Sequence, residues 1–462
     1  MSRIICLELN EVPNEIMIEF LPKIKRDNKA DFIYSPTISN DRGHLHPWVT
    51  WSSVHRGVSH HVHEISDINQ ECSRQNDLYP TIMDELSNQG YRVGVFGSMH
   101  SGSVPISQHK KYSFFVPEAF AKHSECKPST LNDFQKLNLS MSRKSARVVD
   151  KSIPRFKYLL GALKSYLKHA YHFRGLFCAF KQLAIEIPFP WTKTRRRILQ
   201  SDILFDTYMS LLNKSNPDYS NFFTNHVASS MHRFWEAKFP NHYPTKISSE
   251  KWIKRYKYEI DEAMKSTIYY IKSLIKYAEN NKDTQLWIIS SMGQAAVKNY
   301  KKSEFFYEID NMDNFLYSLV GFEVDFEQLP QMIPIYGLES SEETITLIEE
   351  KLKTISCNID LKISSRTSKT IAFIFSKKPS KNIDGEPSFI NSATNNRVKI
   401  EGIRKIHIDE DSGSSAYHVP QGILYRYGYS LPQLTKYYDH NGFLPIESLK
   451  ELMIKVIQNK KI

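Results

Sequence analysis

Residues 4–13 read IICLELNEVP. Ile4–Leu9 is short and almost wholly apolar, the pattern of a strand buried on both faces of a sheet. Outward from it, strand and helix periods alternate. Residues 79–90 (YPTIMDELSNQG) read as a helix ended by Gly90, and Tyr91–Phe96 as the next strand, followed by a Gly-Ser turn. Residues 219–224 (YSNFFT) are a third strand, and a long helix over 250–279 leads to a fourth at Gln285–Ser290. Residues 422–427 (GILYRY) close the strands and 446–459 form a last helix. Such alternation specifies an α/β sheet covered by helices. Residues 340–376 read differently, as one helix and two strands of a small α+β piece. The reading divides the chain into a core of 1–120, 216–324 and 400–462, a helical insertion over 121–215 and a small α+β insertion over 325–399.

Composition excludes several classes. The 462 residues are 41% hydrophobic and 24% charged, an ordinary globular balance and neither a disordered nor a fibrous one. There is no run of 18 apolar residues, so no spanning helix is expected. The first residues run straight into a strand without a secretory apolar region, so a cytoplasmic location is expected. Five scattered cysteines without a CxxC fit reduced, buried thiols.

The formal charge is +11, and it is concentrated. Residues 143–197 hold fourteen basic residues, from Arg143 to Arg197, against the acids Asp150 and Glu186, a net +12 that leaves the remainder near neutral. Phe156, Tyr158, Tyr166, Tyr171, Phe173, Phe177, Phe180 and Trp191 are interleaved with them. That mixture suits an interfacial helix pair on an anionic membrane surface, which would place the protein peripherally at the inner membrane face. It also suits an acidic glycan or a solvated basic face. Nucleic acid is the least favoured partner, because no recognised module accompanies the charge.

Four segments fall at strand C-termini, where open α/β sheets place their ligands. They are ICLELNEVP, PWVTWSSVHRGVSHHVHEI (47–65), NHVASSMHRFW (225–235) with LWIISSMGQ (286–294), and YHVPQGILYRYGYSL (417–431). Each resembles a signature of the alkaline phosphatase superfamily, in particular type I phosphodiesterases, nucleotide pyrophosphatases and sulfatase-like proteins. The first is similar to that family's strand followed by Asp-Gly. The second resembles the nucleophile helix and its T-G-x-x-P-x-x-H-G-I turn, with Gly57, His63 and Ile65 in place. The third pair resembles D-x-x-x-H-R-F-W and strand-S-D-H-G, and the fourth H-x-P-x-G-I-L-x-x-Y-G-P-G-I. The resemblance spans nearly the whole chain and implies an α/β/α sandwich with a basic helical cap.

The resemblance also implies two metal ions, held by Asp and His beside a Ser or Thr nucleophile. Carried over residue by residue, the first metal Asp falls on Asn10, the nucleophile on Pro47, the Asp of D-x-x-x-H on Ala228, and the Asp-His pair on Ser291 and Met292. His232 and His418 alone retain ligand positions. A pair of dications is therefore not expected, since affinity depends on charged, deprotonated donors. A single divalent metal stays open.

Several side chains stand where substitutes are wanted. Glu11, next to Asn10, reaches the cleft only if the strand has ended before it. Glu11 paired with His418 offers acid–base chemistry without metal. Thr50 or Ser52 beside His46 offers a nucleophile with a base. Asn10, Trp48, Trp51, His55, His100, His226 and Gln294 are candidate substrate-binding groups, with Ser229 in the same loops. The histidines at 44, 46, 55, 60, 61 and 63 resemble a metal cluster in composition, but His63 reads better as a loop cap through a ring N–H. Trp48 and Trp51 read as core or pocket wall, or as a sugar-stacking platform.

Three functions follow. One is an enzyme acting on a phosphate-, sulfate- or glycan-containing substrate through a rebuilt, metal-poor site. The LELNE start and the PW-x-x-W helix resemble members associated with bacterial surface-polysaccharide assembly, which implies an anionic glycan, nucleotide-sugar or phospholipid-linked substrate. The second is a metal-dependent phosphodiesterase or sulfatase-type hydrolase with rearranged ligands. The third is a non-catalytic protein binding a glycan or nucleotide sugar.

Overall fold

A computed structural model describes residues 2–28, 31–41, 43–68, 70–143, 156–245, 247–298, 305–331, 335–355, 359–377, 388–390, 397–407 and 414–459. Its centre is an eight-stranded sheet. In chain order the strands are β1 (Arg3–Leu9), β2 (Ile33–Ile38), β3 (Val93–Phe96), β4 (Phe114–Val116), β5 (Tyr219–Thr224), β6 (Thr284–Ser290), β7 (Gln421–Tyr427) and β8 (Leu444–Pro445). The spatial order is β8-β2-β7-β6-β1-β5-β3-β4, and only β7 runs against its neighbours. This is the α/β/α sandwich that the motif resemblance implies.

Strand alternation sorts side chains between two helical layers. Ile5, Leu7 and Leu9 of β1 join Leu286 and Ile288 of β6 in one core, with the helices Asn14–Asn28, His226–Lys238 and Glu259–Asn280. Ile4 and Cys6 join Trp287 and Ile289 in the other, with the helices Pro47–Arg56, Ile82–Asn88 and Ser448–Ile457. A strand apolar on both faces is what a sheet sandwiched by helices requires, hence the near-continuous apolar run at Ile4–Leu9.

The expected helix over 250–279 is two, Glu250–Tyr256 and Glu259–Asn280, the second opening with Glu259, Asp261 and Glu262 in its first turn. Those acids favour a helix N-terminus there and a break at 257–258. The expected helix over 79–90 is shorter, Ile82–Asn88, capped by the Thr81 side chain. A third core gathers residues from Tyr307 to Ile400 around the strands Ile335–Glu339 and Thr370–Lys377 and the helices Met312–Val320 and Glu342–Lys353.

The cap contains the helices Asn132–Arg143, Phe156–His169, Arg174–Glu186 and Arg196–Ser215. Lys144, Arg147, Asp150, Lys151 and Arg155 lie outside the described residues, as do the side chains of Arg143, Phe156, Lys157 and Tyr158. Arg195 pairs with Glu259 at 2.6 Å and Arg196 with Glu186 at 2.8 Å, so part of the basic charge anchors the cap. No described helix is long and apolar enough to cross a membrane.

Candidate active site

β5, β1 and β6 are adjacent, and their C-terminal ends carry the site. β1 ends at Leu9, and Glu11 adopts a left-handed backbone conformation, with φ 58°. That conformation is unfavourable for a non-glycine residue by about 1–3 kcal/mol and persists where the surroundings enforce it. The kink turns the Glu11 carboxylate toward the residues that follow β5 and β6.

After β5, the helix His226–Lys238 brings His232, whose Nε2 lies 2.9 Å from Glu11 Oε2. After β6, the short strand Gly293–Ala296 pairs with Ala416–Val419, and the register sets His418 opposite Gln294. His418 Nε2 lies 3.3 Å from the same Oε2, and Gln294 Nε2 also donates to it. Among the described residues, Glu11, His232 and His418 form the group of three potential metal donors, with ligand atoms within 4.8 Å of one another.

The other ring nitrogens are held by main-chain carbonyls. His232 Nδ1 donates to Ala416 O at 2.8 Å, and His418 Nδ1 to Leu45 O at 2.5 Å. A carbonyl only accepts, so each Nδ1 carries a proton and each Nε2 is left to face Glu11. Burial pushes the Glu11 carboxyl up, but the His418 and His232 charges and hydrogen bonds outweigh it and hold the pKa well below the ordinary value. Burial lowers His418, yet Glu11 raises it above the usual histidine value. The two shifts describe an imidazolium–carboxylate pair. Glu11 is buried, whereas 23% of the His232 side chain is exposed, so His232 is the member that solvent reaches.

Asn10 is fully committed. Its Oδ1 accepts Trp51 Nε1–H at 2.9 Å, and its Nδ2 donates to Glu11 Oε1 at 2.7 Å and Asn225 Oδ1 at 2.8 Å. Trp51 is thus a buried positioning group and not a sugar platform. Trp48 is also buried, with Nε1 donating to Ser66 O at 2.9 Å. His46 stacks on Trp48 at 4.8 Å and meets His418 edge-on at 5.8 Å. Burial and the His418 charge lower its pKa to about 4, leaving it neutral near pH 7.

The structure corrects several expectations. The helix Pro47–Arg56 is buried all round, so its polar side chains are internal anchors. Ser52, expected as a nucleophile, is buried and donates its hydroxyl to Trp48 O one turn back, at 2.8 Å. Thr50 pairs with Ser291 Oγ at 2.8 Å instead of a histidine base. His55, expected as a substrate-binding group, has Nε2 2.8 Å from Glu8 Oε1, with both residues buried. His100 Nε2 donates to Trp48 O at 2.7 Å, and burial lowers its pKa to about 3. His226 is held by Thr224 at 2.7 Å and Ala263 O at 3.1 Å, and burial lowers it to about 4. His63 caps its loop with the opposite polarity from that expected. Its Nδ1 accepts Ile65 N–H at 3.0 Å and its Nε2 meets Ser53 Oγ at 3.0 Å. His60 is tied to Ser66 Oγ at 2.9 Å and stacks on His44 at 4.1 Å.

Three neighbours of the site escaped the sequence reading. Ser414 Oγ lies 3.2 Å from His232 Nδ1, Arg197 of the cap donates to Ser229 Oγ, and Tyr417 stacks on His418 at 4.3 Å. Only Tyr417 left a signal, as the residue preceding His418 in the YHVP motif.

The ribbon that carries Gln294 and His418 depends on a glycine. A Cβ at Gly293 would stand 2.6 Å from the Gln421 carbonyl oxygen, which is backbone and cannot turn aside. Gly293→Ala is expected to destabilise the protein by about 1–3 kcal/mol and to misplace both side chains. Urea denaturation together with zinc titration checks this; unchanged midpoint and affinity would refute it.

No family model matches the sequence, and no curated protein does. Solved structures similar to it include phosphonoacetate hydrolase from Sinorhizobium meliloti 1021 in complex with phosphonoformate, at 12% identity and TM-score 0.40, covering 99% of this chain and 96% of that one. Murine ectonucleotide pyrophosphatase/phosphodiesterase 5 is similar at 8% identity and TM-score 0.41, with 99% and 95% covered. Its human counterpart is similar at 10% identity and TM-score 0.40, over the same shares of 99% and 95%.

Proposed function

We propose that this chain is a hydrolase or transferase acting on a phosphate-, sulfate- or glycan-containing substrate, with Glu11, His232 and His418 in place of a two-metal centre. The supporting observation is the convergence of two fixed histidine Nε2 atoms on one buried carboxylate oxygen. The motif resemblance extends the reading to a nucleotide-activated or lipid-linked glycan of bacterial surface-polysaccharide assembly.

Two metal ions do not fit the residues present. Asn10 is saturated, Pro47 and Ala228 offer no side-chain donor, Ser291 is paired with Thr50, and Met292 is buried in the interior. One divalent cation does fit the donor chemistry of Glu11, His232 and His418, and it would supply Lewis-acid stabilisation to a phosphoryl or sulfuryl oxygen. The cation and the shared proton compete for the same lone pairs, so binding would release protons. The chain's own part is to aim the Nε2 atoms of His232 and His418 at one carboxylate oxygen, with each Nδ1–H fixed on a main-chain carbonyl. A substrate oxygen arriving at the more exposed His232 meets an Nε2 shared with Glu11, a geometry suited to general acid–base chemistry.

A non-catalytic glycan- or nucleotide-sugar-binding protein is the second reading. Tyr417 favours it, being about half exposed and lying nearly flat against His418.

Chelator-stripped protein is expected to take up at most one equivalent of zinc or manganese by calorimetry. Turnover of aryl phosphodiesters and aryl sulfates is expected to fall at least about a hundredfold in His232→Ala and in His418→Ala. Two bound ions, or turnover indifferent to both substitutions, would sink the proposal. Ligand binding without turnover would select the second reading.

A further inference from the structure

The cap reverses the usual placement of amphipathic helices. In Arg174–Glu186 and its flanks, Phe173, Phe177, Phe180 and Ile187 recur at helical spacing and define one stripe. That stripe faces outward, with Phe177 68%, Phe180 72% and Ile187 83% exposed. In Phe156–His169, Leu160, Leu163 and Leu167 are likewise exposed on one side, while Ala162 and Tyr166 are buried on the other. Each stripe is a row of large apolar side chains left in water, which marks an interaction surface.

Its charge identifies the partner. Lys164 and Lys168 stand beside the leucines and Lys181 beside Phe180, all exposed. The only acid within 156–197 is Glu186, which is buried against Arg196. Arg174 turns inward over the Tyr269 ring at 3.8 Å. Each stripe therefore combines exposed apolar side chains with lysine and carries no exposed carboxylate of its own segment. A second copy of this chain would set lysines against lysines across the contact. A bilayer containing anionic phospholipid offers both an apolar interior and negative headgroups.

We propose that this face docks the protein on an anionic membrane surface. Phe177, Phe180 and Ile187 enter the interfacial layer, and Lys164, Lys168 and Lys181 meet the headgroups. The helices lie on the bilayer, consistent with the absence of any described helix long and apolar enough to cross it. The proposal stands independently of the reaction at Glu11.

The test is flotation of the full chain with vesicles of phosphatidylcholine alone and of phosphatidylcholine mixed with phosphatidylglycerol, at low and high salt. The wild type is expected to float with the mixed vesicles and to lose binding as salt rises. Replacing Lys164, Lys168 and Lys181 with Gln is expected to weaken binding about a hundredfold at low salt, each lysine contributing about fivefold. Phe177→Ser combined with Phe180→Ser is expected to abolish flotation at both salts, with an unchanged circular-dichroism melt because both side chains are exposed. No wild-type binding to mixed vesicles at low salt would overturn the proposal. So would binding indifferent to both variants, or a wild-type dimer in sedimentation that the Phe double variant dissociates.

Discussion

Glu11→Gln is expected to lower the pKa of His418, weaken zinc binding at least about a hundredfold, and narrow the pH range of stability. The carboxylate is what raises His418 against the effect of burial, so without it burial alone acts. Loss of an outer-shell partner costs about 10–100-fold in metal affinity, and loss of the one charged ligand costs at least the upper end of that range. The stability effect in metal-free protein has a definite sign. Glu11 titrates below its unfolded value of about 4.3, so its contribution is complete above that pH and is lost as the pH falls through its folded value. His418 titrates above its unfolded value of about 6.5, so its contribution is complete below that pH and is lost as the pH rises through its folded value. Wild type should therefore exceed Glu11→Gln most between about pH 4.3 and 6.5, and less on either side. Urea midpoints across pH, with NMR titration of His418, read this out. A pH-independent difference would contradict it.

His55→Leu is expected to be the most damaging of the histidine substitutions, although it leaves the site intact. Glu8 lies on the β1 face opposite Ile5 and Leu7, in the layer where His55 meets it, and Ser98 and Asn221 donate to it at 2.9 and 3.0 Å. Removing one partner of a buried hydrogen-bonded pair leaves a buried polar group short of a partner, at about 1–3 kcal/mol. Adding Glu8→Gln should give a loss that is not the sum of the two single losses, because the two side chains share one contact. The urea midpoint of the single variant should drop sharply while the folded protein still binds zinc. A loss below about 1 kcal/mol would show that Ser98 and Asn221 suffice for Glu8.

The contrast between Glu11 and His55 shows what the sequence could and could not convey. The sheet was legible because β1 and β6 are buried on both faces, so apolar runs and strands coincide. His232 and His418 were legible from motif position, and Glu11 as their partner only on condition that the strand stops early. Its left-handed φ decides that condition, and no side-chain pattern encodes it. The helix Pro47–Arg56 misled because buried and reactive polar residues have the same composition. Ser52, Thr50 and His55 have internal partners, and those of Thr50 and His55, Ser291 and Glu8, are distant in sequence. The apolar stripe of Arg174–Glu186 was legible as a stripe, but its exposure depends on which face packs against the helix Arg196–Ser215, which periodicity does not specify.

The hydrogen bond from Asn10 to Glu11 constrains the order in which this site can change. Asn10→Asp, the substitution that restores the carboxylate implied at position 10, exchanges a donor for an acceptor 2.7 Å from Glu11 Oε1. Two carboxylates so close cannot both stay ionised, and one must bind a proton. The substitution therefore requires a bound proton while Glu11 is present, and losing Glu11 first dismantles the existing cluster. Positions 10 and 11 are therefore epistatic: the effect of a carboxylate at position 10 depends on whether Glu11 is present.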